Sequence, residues 1–355
     1  MRKFLVFLIA FIVVAVIAAF QLPGLLKKEI EKRIIAELDN TIRADFSFQK
    51  FDLSSINDFP HISIQMENFL VQGIDNFKGD TLAYSKKVIL LFDFWNVYNT
   101  QKLDIKGIYL IEPDIRLVVE RDSSANFDIF HSAKTNPDIK DSSHFNLMIE
   151  KWQIGKGKIE YRDKIESNHI VLDGINHTGK GSFTELVDDL ITRTSIIEAT
   201  VRWRNVKYIH KKPINLDLIV DMNFKDSIFT IKENKASIGH FSFGFEGRFK
   251  KISNLYHSDV KFNIKETNFK EILTLLPGVY KKSVEEYHAK GDVAFTGHLN
   301  GKFDPVKSQW PGFSAKLVVQ NGEIRHPELK ASITGINLHL LVENKLGLPD
   351  STNFL

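Results

Sequence analysis

The chain has 355 residues, a formal net charge of +3 and no cysteine. The lack of cysteine excludes disulfides, thiolate zinc sites and cysteine nucleophiles. The 47 basic residues are spread along the chain and matched by 44 acidic ones, so we expect no nucleic-acid partner. Phenylalanine occurs 28 times, and this aromatic excess favours strands over helices.

Residues 1–26 are predicted to be a transmembrane anchor. Arg2 and Lys3 precede residues 4–20, which contain no polar side chain. Extended to Leu22, the apolar run would span roughly 28 Å as a helix, close to the hydrocarbon thickness of about 30 Å. The alternative is a cleaved signal peptide, whose apolar region is normally only about 7 to 15 residues long. The side chains expected in the membrane are Phe4, Leu5, Phe7, Leu8, Phe11, Ile12, Val16 and Phe20.

Residues 27–43 are predicted to form an amphipathic helix. Apolar residues recur there at near-helical spacing, at Ile30, Ile34, Leu38 and Ile42. Such a stripe suits a juxtamembrane helix that lies on the membrane surface, and it is equally compatible with a plain helical stalk.

From residue 44 onward the hydrophobic period is two, which indicates strands. The alternation in "HISIQMENFLVQG" slips at Asn68, as a bulge would make it do, and Pro113 is expected to divide its segment into two strands. A polar linker at 134–144 separates a first β-region, 44–133, from a second, 145–355. Short helices are predicted near 270–287.

The segment "INLDLIVDMNF", residues 214–224, has an apolar side chain at every even position. Its apolar face could pack against a second sheet, as in a β-sandwich, or line an apolar groove filled by lipid acyl chains. Because few helices are predicted to cover so much sheet, we expect a mainly β protein with a long, curled, mostly antiparallel sheet that forms such a groove. The predicted lining is Ile214, Leu216, Leu218, Val220, Met222, Phe224, Val260, Phe262, Ile264, Phe313, Ala315, Leu317 and Val319.

No sequence motif indicates catalysis. "GINHTGKGS", residues 174–182, resembles a phosphate-binding loop but has Gly181 where a magnesium-binding Ser or Thr is needed, so it is predicted to be a glycine-rich turn. The histidines lack metal-ligand spacing, and no G-x-S-x-G sequence occurs. We therefore expect no enzyme, no metal and no cofactor. An esterase or hydrolase would need a Ser or carboxylate cluster that forms only in the fold.

The order of segments resembles the AsmA family of bacterial envelope proteins, particularly the long forms of the Bacteroidota. "FPHISIQMENFLVQG", "FKGDTLAYSKKVILLFDF" and "KLDIKGIYLIEPDIRLVVERDSSANFDIF" follow the apolar span, and "LLPGVYKKSVEEYHAKGDVAFTGHLNGKF" and "WPGFSAKLVVQNGEIRHPELKASITGINLHL" come later. The family's proline, glycine, second proline and Asn-aromatic pair correspond to Pro60, Gly79, Pro113 and Asn126 with Phe127, where Trp is commoner.

This resemblance implies a single-pass protein of the inner membrane with its body in the periplasm. It implies a passive conduit for phospholipid between the inner and outer membranes, and so a role in outer-membrane biogenesis. The alternative is a non-enzymatic scaffold or assembly factor that affects outer-membrane protein assembly. The expected partners are phospholipid acyl chains, the inner membrane and envelope proteins. Long family members continue further, so we expect this chain to be truncated at its C-terminus.

Overall fold

The computed structural model describes residues 27–36, 38–54, 61–93, 103–129, 145–181, 186–253, 255–268, 288–304, 311–325 and 330–344. The predicted membrane span, the polar linker and the short helices near 270–287 lie outside these residues. None of the described helices has the length and apolar character needed to cross a membrane. The chain is mainly β, as predicted, and its two compact units are Met1–Ile165 and Glu166–Leu355.

The described part of the first unit contains one α-helix, a short 3-10 helix and six strands. The α-helix, α1, covers residues 27–36 and 38–41. The other elements are β1 (Asp45–Ser47), β2 (Lys50–Ser54), β3 (His61–Gln72), the 3-10 helix (Asp75–Phe77), β4 (Thr81–Asp93), β5 (Leu103–Val119) and β6 (Phe145–Asp163). Strands β3, β4 and β5 pair antiparallel, whereas β5 and β6 pair in parallel. Because of this pairing, β6 belongs to the first unit, although the sequence placed it beyond the linker.

The apolar stripe of α1 packs on the sheet. Ile30 and Ile34 are buried in one cluster with Ile64, Met66 and Phe92. A helical face and alternate strand positions meet here, as expected when a helix covers one side of a sheet. The sequence therefore identified the stripe correctly, but the structure gives it the sheet as its partner in place of a membrane surface.

Strand β5 continues through Pro113, so the predicted division into two strands is wrong. Glu112 has a positive φ of 50°, which introduces an irregularity just before the proline. The hydroxyl of Ser85 on β4 lies 3.0 Å from the carbonyl oxygen of Ile111 and 2.9 Å from that of Lys87. The Ser85 side chain thus forms hydrogen bonds with the backbone close to Pro113, which has no N–H group to donate. The slip predicted in β3 at Asn68 is wrong as to place: Asn68 has a positive φ of 53°, but its neighbours Glu67 and Phe69 keep one register with β4, and the register shift of this pair lies between Val71 and Gln72.

Replacing Asn126 by alanine is expected to lower the free energy of unfolding by about 1 to 3 kcal/mol, since two partly buried backbone groups would lose their partners. The buried Asn126 side chain donates Nδ2–H to the carbonyl oxygen of Arg116 at 2.7 Å and accepts from the amide of Val118 at 2.8 Å. Urea denaturation measures the effect. The exposed neighbour Asp128, replaced by alanine, is the control and should change the free energy by less than about 0.5 kcal/mol. Equal effects of the two variants would contradict this assignment.

The second unit contains nine described strands, and every hydrogen-bonded pair joins strands that are consecutive in the chain. These are β7 (Asn168–Lys180), β8 (Leu186–Trp203), β9 (Val206–Asn223), β10 (Ile228–Ile238), β11 (Phe241–Ile252), β12 (Leu255–Asn268), β13 (His288–Phe303), β14 (Gly312–Arg325) and β15 (Ile333–Asn344). The pairs from β7 to β15 are antiparallel.

Candidate functional site

The strand register places the apolar positions of β9 opposite apolar positions of its neighbours. Leu216 lies opposite Ala236 on β10, and Ala236 lies opposite Phe243 on β11. Directly opposed residues of antiparallel strands point to the same side of a sheet. The apolar side of β9 is therefore continuous with the apolar sides of β10 and β11.

The same side continues to β15, the last strand that the structure describes. Phe245 lies opposite Phe262 on β12, which lies opposite Gly297 on β13. Gly297 then lies opposite Ala315 on β14, which lies opposite Val342 on β15. The bulges in β10 and β12 do not move the apolar side chains to the other side of the sheet. Residues before and after each bulge still lie opposite apolar residues of the neighbouring strand.

We call this side of β9 to β15 the apolar face. Twelve of the thirteen residues predicted to line a groove lie on it, an alignment that alternation within separate strands could not establish. The thirteenth, Phe224, follows the end of β9, and its ring contacts that of Phe229 edge to face. Residues of the apolar face that the prediction missed are Phe229, Ile231, Ile238, Phe241, Phe243, Phe245, Phe249, Val293, Phe295, Leu299, Leu338, Leu340 and Val342.

The apolar face is only partly buried. Of the thirteen predicted residues, Val220, Val260, Ile264 and Val319 are buried, whereas Phe224 and Phe313 are exposed and the other seven are intermediate. On the last strand, Leu340 keeps 47% of its surface exposed. A closed β-sandwich core would enclose most of these side chains. The exposure therefore favours a face that can still receive apolar material.

Four phenylalanine rings form a continuous run on this face. Ring centroids are 5.8 Å apart for Phe241 and Phe243, 6.2 Å for Phe243 and Phe245, and 6.3 Å for Phe245 and Phe262. These distances lie within the range of favourable aromatic contacts. The alternation in "FSFGF", residues 241–245, carried the signal that would have identified the run.

The opposite side of these strands is mainly polar, although apolar residues such as Ile219, Val318 and Leu341 also lie on it. One row of directly opposed residues across β8 to β11 consists of Ser195, Asn215, Ser237 and Ser242. In the next row Arg193 Nε donates to Asp217 Oδ1 at 3.2 Å. The sheet of the second unit is therefore amphipathic, with one side suited to water and one to apolar material.

Acid is expected to lower the free energy of unfolding through Asp221, which lies on the polar side. The amide of Asp189 donates to this carboxylate at 3.0 Å and Lys232 Nζ donates at 2.7 Å, and both bonds hold the pKa of Asp221 below its usual range. A carboxyl whose folded pKa is lowered stabilises the fold above its unfolded pKa of about 3.9, and this contribution is lost as the pH falls through the folded pKa. Urea titrations from pH 6 to pH 2 should show less acid destabilisation in Asp221→Asn than in the native chain.

The control for Asp221 is Asp173→Asn on β7. Asp173 is exposed and makes no side-chain hydrogen bond or ion pair with any described residue. We expect this variant to keep the native acid dependence. The same acid dependence in Asp221→Asn and the native chain would show that the two hydrogen bonds do not stabilise the fold.

The segment that resembled a phosphate-binding loop lies mostly in β7, not in the predicted turn. Gly174 has a positive φ of 67°, and a Cβ there would meet the Ile197 side chain at 2.6 Å, so a larger residue would be strained. His177 Nδ1 lies 2.8 Å from Thr194 Oγ1, and burial lowers the pKa of this histidine.

Within the described part of the chain, no group of three or more His, Asp and Glu side chains could hold a metal ion. The residues predicted to line the membrane anchor, from Phe4 to Phe20, lie outside the described residues. Comparisons with protein-family models, curated proteins and solved structures yield no match for this chain.

Proposed function

We propose that the chain is a passive conduit for phospholipid, with its apolar face in contact with acyl chains. The observation that carries this proposal is the apolar face itself, which is continuous over seven strands, half-exposed and backed by a polar side. The resemblance to AsmA proteins supports placing this conduit in the bacterial envelope, with an anchor in the inner membrane and a role in outer-membrane biogenesis.

The dimensions of the apolar face suit more than one acyl chain. Seven strands at about 4.8 Å spacing extend roughly 30 Å along the hydrogen-bond direction. The apolar positions from Ile214 to Phe224 extend roughly 33 Å along the strand, at about 3.3 Å per residue. One leaflet contributes about 15 Å of hydrocarbon to a bilayer, half of the total thickness. Several acyl chains could thus lie side by side on the apolar face.

The mechanism follows from the chemistry of the face. Burial of an acyl chain against Leu, Val and Phe side chains is favourable by about 0.8 kcal/mol per CH₂ group and does not depend on direction. An acyl chain can therefore move along the apolar face without breaking directional bonds. Head groups remain in water at the rim, and the apolar face supplies neither a direction of transfer nor an energy source.

Photo-crosslinking of the full chain in cells tests the proposal. A photoreactive amino acid replaces either Leu340, on the apolar face, or its neighbour Leu341, which points to the other side and is 62% exposed. Mass spectrometry should find phospholipid adducts at position 340 and few at position 341. Equal yields at both positions, or no lipid at position 340, would overturn the conduit.

A second candidate function is the scaffold or assembly factor, and strand β15 favours it. Leu338, Leu340, Leu341 and Val342 are all exposed, and they occupy both sides of the last strand in the described order. A strand with exposed apolar residues on both sides is suited to pairing with a strand of another protein. In the same experiment, protein adducts in place of lipid at position 340 would support this function.

A further inference from the structure

The tip of the β8–β9 hairpin combines cations with exposed aromatic rings. We define the basic tip as residues 199–212, "ATVRWRNVKYIHKK", which contain five Lys and Arg residues and no Asp or Glu. Trp203 and Tyr208 within it are each 47% exposed. The rest of the chain nearly balances its charges, so the basic tip is a local departure from the overall composition.

The backbone of the basic tip is ordered by a tight turn. Arg204 and Asn205 have positive φ values of 46° and 64°, as a two-residue type I′ hairpin requires. Trp203 lies opposite Val206, and Arg202 lies opposite Lys207. Because Val201 pairs with Ile209 and Arg202 with Lys207, Tyr208 is the extra residue of a bulge.

The pairing divides the basic tip into two sides. By alternation and register, one side carries Trp203, Val206, Val201 and Ile209. The other side carries Arg202 and Lys207. Like charges directly opposite each other destabilise a sheet. Retaining this pair at an exposed tip is understandable if an anionic partner neutralises it.

Internal ion pairs neutralise only part of the charge. Arg204 Nε contacts Glu166 Oε2 at 3.2 Å, and Lys211 Nζ contacts Glu198 Oε2 at 3.4 Å. Arg202, Lys207 and Lys212 form no ion pair with any acid in the described part of the chain. The basic tip therefore keeps three cations for an external anion.

We propose that the basic tip binds an anionic lipid surface. Trp and Tyr concentrate at the membrane–water interface, where an apolar body and a polar edge are both accommodated. Lys and Arg are attracted to anionic head groups in the same layer. A nucleic acid would satisfy the charges but would leave the apolar side of the hairpin in water. This inference does not rest on the apolar face, so it can fail while the conduit stands.

Vesicle capture tests the inference. The full chain, held in nanodiscs of neutral phosphatidylcholine, is mixed with vesicles of phosphatidylcholine alone or with phosphatidylglycerol added. We expect capture by the anionic vesicles only, weakening as salt is raised. The triple variant Arg202→Gln, Lys207→Gln, Lys212→Gln should bind at least about tenfold more weakly. Thermal unfolding followed by circular dichroism verifies that the variant is folded.

The matched control removes three positive charges elsewhere on the same unit. Lys261, Lys290 and Lys316 are exposed on β12, β13 and β14, and their replacement by Gln should leave capture unchanged. The blue shift of tryptophan emission on vesicle binding should disappear in Trp203→Phe while capture persists. Equal losses in the two triple variants, equal capture by neutral vesicles, or preference for an RNA oligonucleotide over vesicles would overturn the proposal. Lipid adducts at position 340 that persist in the tip variant would show that the two proposals are separate.

Discussion

Replacing Ile64 by alanine will lower the free energy of unfolding of the first unit by about 2 to 5 kcal/mol. Ile64 on β3 has no exposed surface and belongs to the cluster that includes Ile30 and Ile34 of α1. Removing three carbons there leaves a cavity in addition to the lost transfer free energy. Urea denaturation followed by circular dichroism measures the change.

Ile165→Ala in the same unit is the control, since its side chain is 48% exposed. We expect that variant to change the free energy of unfolding by less than about 0.5 kcal/mol. If Ile64→Ala were equally mild, the contact between α1 and the sheet would not stabilise the unit. A helix free of the sheet would then be available for the membrane surface that its sequence suggested.

The second large effect is expected from Leu317→Asp. Leu317 lies on the apolar face between Phe295 and Leu340, and it is partly exposed. A carboxylate there can remain hydrated in the lipid-free protein, but an acyl chain placed over it would remove its water without providing a partner. We expect a folded protein that has lost nearly all phospholipid adducts at position 340. Mass spectrometry and circular dichroism measure the two properties.

Val318→Asp provides the matched control, because Val318 is the next residue and points to the other side of β14. This variant should fold and keep its lipid. If Leu317→Asp alone unfolds the protein, the apolar face is a closed core and the scaffold function is favoured. If Leu317→Asp folds and keeps full lipid occupancy, the acyl chains lie elsewhere.

Alternation within a strand could be read from the sequence, but the alignment of strands could not. Leu216, Phe262 and Leu317 were each predicted to face apolar material, yet their common side depends on hairpin lengths and on bulges in β10 and β12. Conversely, the rule that proline interrupts a strand was misleading at Pro113. A positive φ at Glu112 and the Ser85 hydroxyl accommodate the proline there, and neither is visible in a single sequence.

Periodicity also identifies a surface without identifying what covers it. The stripe through Ile30 and Ile34 was correctly predicted as apolar and helical, while its partner proved to be the sheet of the first unit. The same limit applies to the second unit. Register assembles its apolar face, and lipid adducts are needed to identify the occupant.

The order of strands in the second unit has a consequence for how the chain folds. Each strand from β8 to β14 pairs with the strands before and after it in the sequence. Contacts between chain neighbours close short loops, so their entropic cost is low and folding is fast for a β protein. The unit can therefore grow one hairpin at a time during synthesis, each finished strand serving as the template for the next. As in solenoid proteins, a hairpin added to such an array would need to match only its immediate neighbours.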